Sequence, residues 1–341
     1  MKNLTRRDFL KMGGMSLTSL AFSVILPDFT EFEDIELVRV ATTSVSVFKK
    51  PDDASQIVAT WPRDSLVNVY ETVDSGTPEY NPIWYRVFGG YMHRARLQKV
   101  RFHSNHPLES VPRTKLLAEV TYPYADPYFY TETGGWRPVP YRLYYSTLHW
   151  ITGLEAGPDG KAWYQVQDEA DKNVFFYVPG TQMRPLSPSE FEPISPEVEN
   201  KRIDVNLSTQ SLACFESGSE VFHCSISSGV QYAFDTPAGN HNILVKLPSR
   251  RMSAADRAAS DDQNVLAGVP WCSFFTTEGH AFHGTYWHDD FGTPHSHGCV
   301  NMKNEDAQWL FRWSRPTASF AEIDKGTLDR KGFGTAVDIH Y

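Results

Sequence analysis

The sequence predicts a mostly β protein, with two small barrels followed by a larger third region. Three observations lead there. Aromatic residues make up 13% of the 341 positions, and their side chains favour the pleated, half-buried surface of strands. Short apolar runs alternate with turn residues through 35–186, the rhythm of small barrels. A proline- and serine-rich stretch at 187–200 then breaks both helix and strand, and reads as a linker to 201–341.

Hydrophobic residues at 41% and charged residues at 21% are ordinary for a globular chain, and the length allows two or three domains. A formal net charge of −9 without a basic stripe argues against nucleic acid as a partner. The exception to this balance is the N-terminus. Thr5-Arg6-Arg7-Asp8-Phe9-Leu10-Lys11 precedes an apolar run from Met12 to Leu26. A positive head before a short apolar run reads as an export signal, here over 1–30. The paired arginines and the Phe-Leu-Lys that follow resemble the twin-arginine type, which implies a periplasmic or cell-envelope location. Gly13-Gly14 and Pro27 fit poorly with the alternative, a buried helix after a basic tail. Ala21-Phe22-Ser23 is a passable cleavage site, so both a cleaved signal and an uncleaved membrane tether stay open.

The first two regions, 35–105 and 110–186, look like copies of one unit. Trp84-Tyr85-Arg86-Val87 recurs as Trp163-Tyr164-Gln165-Val166, with Tyr91-Met92 and Tyr177-Val178 in similar places after each. The pair resembles bacterial SH3-like domains, which often accompany wall enzymes. That resemblance leaves two roles open, binding wall glycopeptide or only positioning the third region.

In the third region, Arg202 to Leu207 alternates at period two, as a half-buried strand should. Glu216-Ser217-Gly218-Ser219 separates two strand-like runs and suggests a hairpin. Cys214 and Cys224 share parity across it, so a disulfide between them is an expectation that an exported location permits. Residues 249–264 are polar and alanine-bearing without a strand pattern and read as a helix or a mobile flap, and the wider stretch 248–270, which lacks the period-two pattern of its neighbours, as a flap or a surface insertion. A helix is expected at 305–313, capped by Asn304, with Glu305 and Asp306 at its positive end. Ala336 to Ile339 reads as a closing strand.

The chemistry lies in His283-Gly284-Thr285 and Ser296-His297-Gly298-Cys299-Val300-Asn301. Five of the twelve histidines fall within 280–297, in sequence punctuated by glycine and proline. A cysteine attacks as thiolate, and a nearby imidazole lowers its pKa and takes its proton. Glycine at 298 permits a tight turn whose amides can converge on an oxyanion. A buried small hydrophobe is the bland alternative for Cys299, and the histidines count against it. Metal binding by this cluster is disfavoured, because the spacings match no regular zinc pattern and no second thiol lies close in sequence.

These motifs resemble the L,D-transpeptidase catalytic domain family, in which a histidine precedes Ser/Thr-His-Gly-Cys-x-Asn. Thr236-Pro237-Ala238-Gly239 after Ser228-Gly229 belongs to the same pattern. The resemblance covers about 202–341 and implies mixed β-sheets with the cysteine at a groove mouth. It implies Cys299 as nucleophile, His283 as base and the Gly284 carbonyl as the group that orients His283. His297 and the amides of Gly298 and Cys299 would line the oxyanion hole. Ser296, Asn301 and Tyr286 are candidate substrate contacts, with a loop-holding role as the alternative for Ser296 and Asn301. Peptidoglycan stem peptides are the implied partner and no cofactor is implied. The implied reaction releases D-alanine and forms a 3→3 cross-link through a thioester.

Three rivals remain. A carboxypeptidase would use the same residues with water as acceptor. A papain-like endopeptidase places its cysteine before its histidine, whereas only His340 follows Cys299. A non-enzymatic wall-binding protein has no need of an intact His283 and Cys299.

Overall fold

Alternating apolar and polar positions make strands over most of the chain. The computed structural model describes residues 36–112, 115–169, 171–230, 232, 234–253, 265–318, 327–328 and 334–341. The twin-arginine segment lies outside these residues, as does 254–264, the centre of the alanine-bearing stretch. Among the described residues no helix is long and apolar enough to cross a membrane. The architecture is mostly β, in agreement with the sequence.

Residues 36–100 form a three-stranded and a five-stranded sheet, closed over Val38, Val40, Val47, Tyr85 and Met92. Residues 116–185 form a seven-stranded sheet and a two-stranded ribbon over Ala118, Val120, Tyr164, Val166 and Val178. The repeated tetrapeptides hold equivalent places. Strand Ile83–Val87 turns back into Gly90–His93, and strand Ala162–Gln167 into Phe175–Pro179. Each hairpin runs into a 3₁₀ turn, Arg94–Arg96 or Gly180–Gln182. Each then ends in a strand, Leu97–Val100 or Met183–Pro185, paired antiparallel with the first strand of its region. The stretch between regions is ordered: Ser187 and Glu190 cap a 3₁₀ turn, and Phe191 is buried 5.3 Å from Trp271.

The third region has two five-stranded sheets. In one, Ser219–Ser225, Ser211–Glu216, Lys201–Asn206, Ala336–His340 and Gly239–Asn242 lie in that order. The other runs Val300–Met302, Ala281–Gly284, Val265–Phe274, Val245–Ser253 and Thr327–Leu328. Each contains one parallel pair, so the sheets are mixed. Ile203, Val205, Leu212, Phe282, Val300 and Ile339 meet in a shared core, as their period-two spacing requires.

Two expectations are corrected here. Cys214 pairs with Phe222 and Leu212 with Cys224, so the cysteines share a face but are diagonal, and both are free thiols. The turn itself is as expected: Ser217 and Gly218 both have positive φ, which suits a two-residue hairpin. The stretch 248–270 is not strandless. Strands Val245–Ser253 and Val265–Phe274 run through both its ends as one long hairpin.

The helix spans Asn304–Trp313, with Lys303 rather than Asn304 at the cap position. Asn304 is used for packing instead: a Cβ on Gly284 would lie 2.2 Å from its Oδ1. At the other end two lysines donate to the last carbonyls. Lys201 Nζ reaches Trp313 O at 2.9 Å, and Lys246 Nζ reaches Ser314 O at 2.8 Å. Cations at a helix C-terminus complement its dipole. Lys246 is fully buried, and burial lowers its pKa to about 7, with Lys201 nearby adding to the effect.

This produces a linkage. Between about pH 7 and the unfolded value of about 10.4, the unfolded chain holds a proton that folded Lys246 has lost. Stability contributed through Lys246 therefore rises with pH across that window, by at most about 1.4 kcal/mol per unit. Urea unfolding of the protein and of Lys246→Met at pH 6.5 and pH 8.5 should show a steeper rise in the unsubstituted chain. Equal slopes would rule the linkage out.

Candidate active site

His283 sits on strand Ala281–Gly284, paired in parallel with Val300–Met302, the strand that follows Cys299. His283 lies opposite Asn301 in that register. The pairing therefore brings together two segments separated by a long loop. The imidazole is fully buried and its Nδ1 donates to Gly284 O at 3.0 Å. The proton is thus on Nδ1, and Nε2 presents a lone pair. That Nε2 is buried and has no hydrogen-bond partner among the described residues. Burial lowers the His283 pKa to about 4, against a small opposing effect of the Gly284 bond, so the ring is neutral near pH 7.

Cys299 is also fully buried, with Sγ 3.8 Å from Gly279 O. It belongs to an apolar cluster with Met252, Leu266, Cys272, Ala281 and Trp287. The loop before it is held from several sides. Gly298 has φ +120°, and a Cβ there would lie 2.8 Å from the His280 ring, so only glycine fits without strain. Thr236 Oγ1 donates to Gly298 O at 2.9 Å and accepts from Gly229 N at 2.8 Å, which explains the upstream Thr-Pro-x-Gly motif. Ser227 and Asn301 exchange backbone bonds of 2.9 and 2.8 Å. His297 is half-buried, edge-on to Phe234 at a centroid distance of 4.0 Å.

The other candidate residues are engaged within the protein. Tyr286 is buried, stacked on Tyr144 and bonded through its hydroxyl to Ala267 O at 3.3 Å. Ser296 and Asn301 are buried as well and serve the loop. The Ser296 hydroxyl donates to Cys299 O and accepts from Gly298 N at 3.0 Å. The Gly298 amide, assigned above to the oxyanion hole, is therefore already engaged.

The histidine cluster contains a second arrangement that spacing alone did not reveal. His288 Nδ1 accepts from Asp290 N at 3.1 Å, so the His288 proton is on Nε2. His288 Nε2 lies 2.8 Å from Asn301 Nδ2, and with Nε2 protonated this contact requires the amide to present its oxygen there. Burial holds His288 well below its ordinary pKa, with His295 adding to the effect. The His288 and His295 rings stack at 4.8 Å, and His295 Nε2 pairs with Asp290 Oδ2. Burial acts to raise the Asp290 pKa, but hydrogen bonds from His295 and Asn81 outweigh it and hold the carboxyl low.

A thiol and a neutral imidazole with an unpartnered Nε2 therefore lie on neighbouring segments in water-poor surroundings, the residue types that cysteine acyl transfer uses. Residues 200–337 match the YkuD family model, the L,D-transpeptidase catalytic domain. No curated protein matches the chain. Among solved structures, an L,D-transpeptidase from Stackebrandtia nassauensis is 22% identical with a TM-score of 0.29. The match covers 46% of this chain, which spans only 60% of that one. One from Mycobacterium smegmatis is 17% identical, covering 50% of this chain and 75% of that one, with a TM-score of 0.33. The catalytic domain of the E. faecium enzyme is 22% identical, covering 42% and 98%, with a TM-score of 0.30.

The state of His283 is directly measurable. Burial depresses its pKa, so the neutral ring should persist as pH falls through 6.5 and take up a proton only near pH 4. In histidine-labelled protein, the His283 ring resonances should stay unshifted between pH 7.5 and 5.5. A midpoint near 6.5 would contradict the buried, neutral base.

Proposed function

We propose that this protein is a peptidoglycan L,D-transpeptidase, with Cys299 as nucleophile and His283 as its base. The observation that carries the reading is the His283 tautomer. Gly284 O holds Nδ1–H, so the partnerless Nε2 is the atom available to take a proton, on the strand paired with the one after Cys299.

In the first step, Nε2 takes the thiol proton as Sγ attacks the carbonyl carbon after the third stem residue. The C–N bond to D-alanine breaks, the amine leaves with the proton from His283, and a thioester remains on Cys299. In the second step, the amine of another stem attacks the thioester and gives its proton to Nε2. The thiolate leaves, and a 3→3 amide is formed. The thioester keeps the energy of the broken amide, so no nucleotide is needed. The apolar surroundings of Cys299 support an amine over water as acceptor, because a dry site protects the thioester.

The purified protein incubated with disaccharide tetrapeptide should release D-alanine and yield cross-linked dimer by mass spectrometry. Cys299→Ser should lower turnover by at least about 10³-fold. D-alanine release without dimer would point to the carboxypeptidase reading, and absence of any Cys299 adduct would sink both.

Export by the twin-arginine route is part of the same proposal and rests on Thr5 to Lys11. Arg6→Lys with Arg7→Lys should leave the precursor in the cytoplasm on fractionation. Unchanged export of that variant would defeat the idea.

A further inference from the structure

The loop from Tyr286 to His295 joins the His283 strand to the Cys299 loop, and the first β region holds it at several points. Tyr85 OH donates to Asp289 Oδ2 at 3.2 Å, and Asp289 N donates to Ala95 O at 3.2 Å. Between these contacts lies Asn81, which is 1% exposed. Its Oδ1 accepts from Arg94 Nε at 2.8 Å, and its Nδ2 donates to Asp290 Oδ1. A guanidinium only donates and a carboxylate only accepts, so the amide orientation is chemically fixed. The Asn81 carbonyl accepts from His93 Nε2 at 2.7 Å, and His93 Nδ1 accepts from Ala95 N at 3.4 Å. One tautomer of His93 satisfies both bonds.

We infer that Asn81 is a positioning residue for the Cys299–His283 site, acting through Asp290. The connections are continuous. Asp290 binds Asn81 with one carboxylate oxygen and His295 with the other. Its backbone amide fixes the tautomer of His288, and His288 binds the Asn301 side chain. Asn301 lies two residues after Cys299 and opposite His283 in the parallel strand pair. The first β region, more than 200 residues away in sequence, thus supplies an outer support for the reacting pair. Partners of this kind act through the geometry of the groups they touch, and a misplacement of about 1 Å can cost about 10²-fold.

The inference takes Cys299 as the reacting group, as proposed above, and its test needs no stem peptide. The rate of Cys299 alkylation by iodoacetamide is followed by peptide mass spectrometry on the full-length protein. Asn81→Asp keeps the shape but sets a carboxylate against Asp290, and should slow alkylation roughly tenfold. Exchanging the pair, Asn81→Asp with Asp290→Asn, restores a donor facing an acceptor. In the exchange, Asn at 290 still accepts from His295 and donates to Asp at 81. The double variant should return to within about threefold of the unsubstituted rate. A merely structural role lowers the melting temperature and leaves the rate per folded molecule unchanged, and that result overturns the inference. So does an exchange variant as slow as Asn81→Asp. If Asn81→Asp does not fold, Asn81→Ala takes its place, and a rate per folded molecule equal to that of the unsubstituted protein overturns the inference. Failure of the unsubstituted protein to release D-alanine would defeat the proposed function and leave this comparison valid.

Discussion

One buried guanidinium ties the molecule together. Arg39, on the first strand of the first region, is fully buried. Its Nε and one terminal nitrogen bond Gln98 Oε1 at 3.1 and 2.8 Å, and its other terminal nitrogen bonds Asp64 at 2.9 Å. The remaining reach goes to Tyr286 O at 3.0 Å in the third region, while the plane lies 4.0 Å over the Tyr144 ring of the second. Burial works to lower the Arg39 pKa and the Asp64 charge opposes it. A buried charge is tolerated only where its donors are satisfied, and removing one partner costs about 3–5 kcal/mol. Here those partners come from all three regions. Tyr286 follows His283-Gly284-Thr285 directly, so the constraint that satisfies Arg39 also holds the end of the strand that carries His283.

The second region braces the other flank. Ser249 Oγ donates to Leu148 O at 2.6 Å, and Arg251 Nη1 pairs with Asp168 Oδ2 at 2.7 Å. Gly268, at φ +68°, lies where a Cβ would come within 2.5 Å of the His149 ring. These contacts grip both strands of the hairpin that supplies Met252 and Leu266 to the cluster around Cys299. The described hairpin strands next to the site are therefore held at Ser249, Arg251 and Gly268.

What was legible in the sequence was local. The Ser217-Gly218 turn, the alternation through Ile203 and Val205, and the repeated Trp-Tyr tetrapeptides each depend on a few neighbouring residues. The His283 and Cys299 motifs were legible because their chemistry needs those residue types whatever the surrounding packing. Long-range partnerships were not. Nothing near Tyr286 indicates that Arg39 takes its carbonyl, so an aromatic residue beside the motif looked like a substrate contact. Asn304 looked like a cap because Asn favours that position, yet its packing against Gly284 outweighs a preference worth about 1 kcal/mol. The dense histidines signalled a site, but only coordinates separate His283, with its bare Nε2, from His288, whose two nitrogens are both spent on Asp290 and Asn301.

That separation is also an argument about charge. A protonated imidazole facing a thiol favours thiolate. Burial keeps His283 and His288 neutral near pH 7, and the acid of the cluster, Asp290, is committed to His295 and Asn81. The resting site therefore has no fixed charge facing the sulfur from these histidines. On the proposed mechanism, charge appears when His283 takes the thiol proton, and in a low-dielectric pocket the resulting ion pair attracts strongly and collapses readily onto a carbonyl held against it. In the reading proposed above, such a pair depends on geometry rather than on charge supplied by these two imidazoles. A site of that kind gains from rigid support outside its own segments. Misplacement of about 1 Å can cost 10²-fold, and the braces from Asn81, Arg39 and Ser249 all fall on segments flanking the reacting pair.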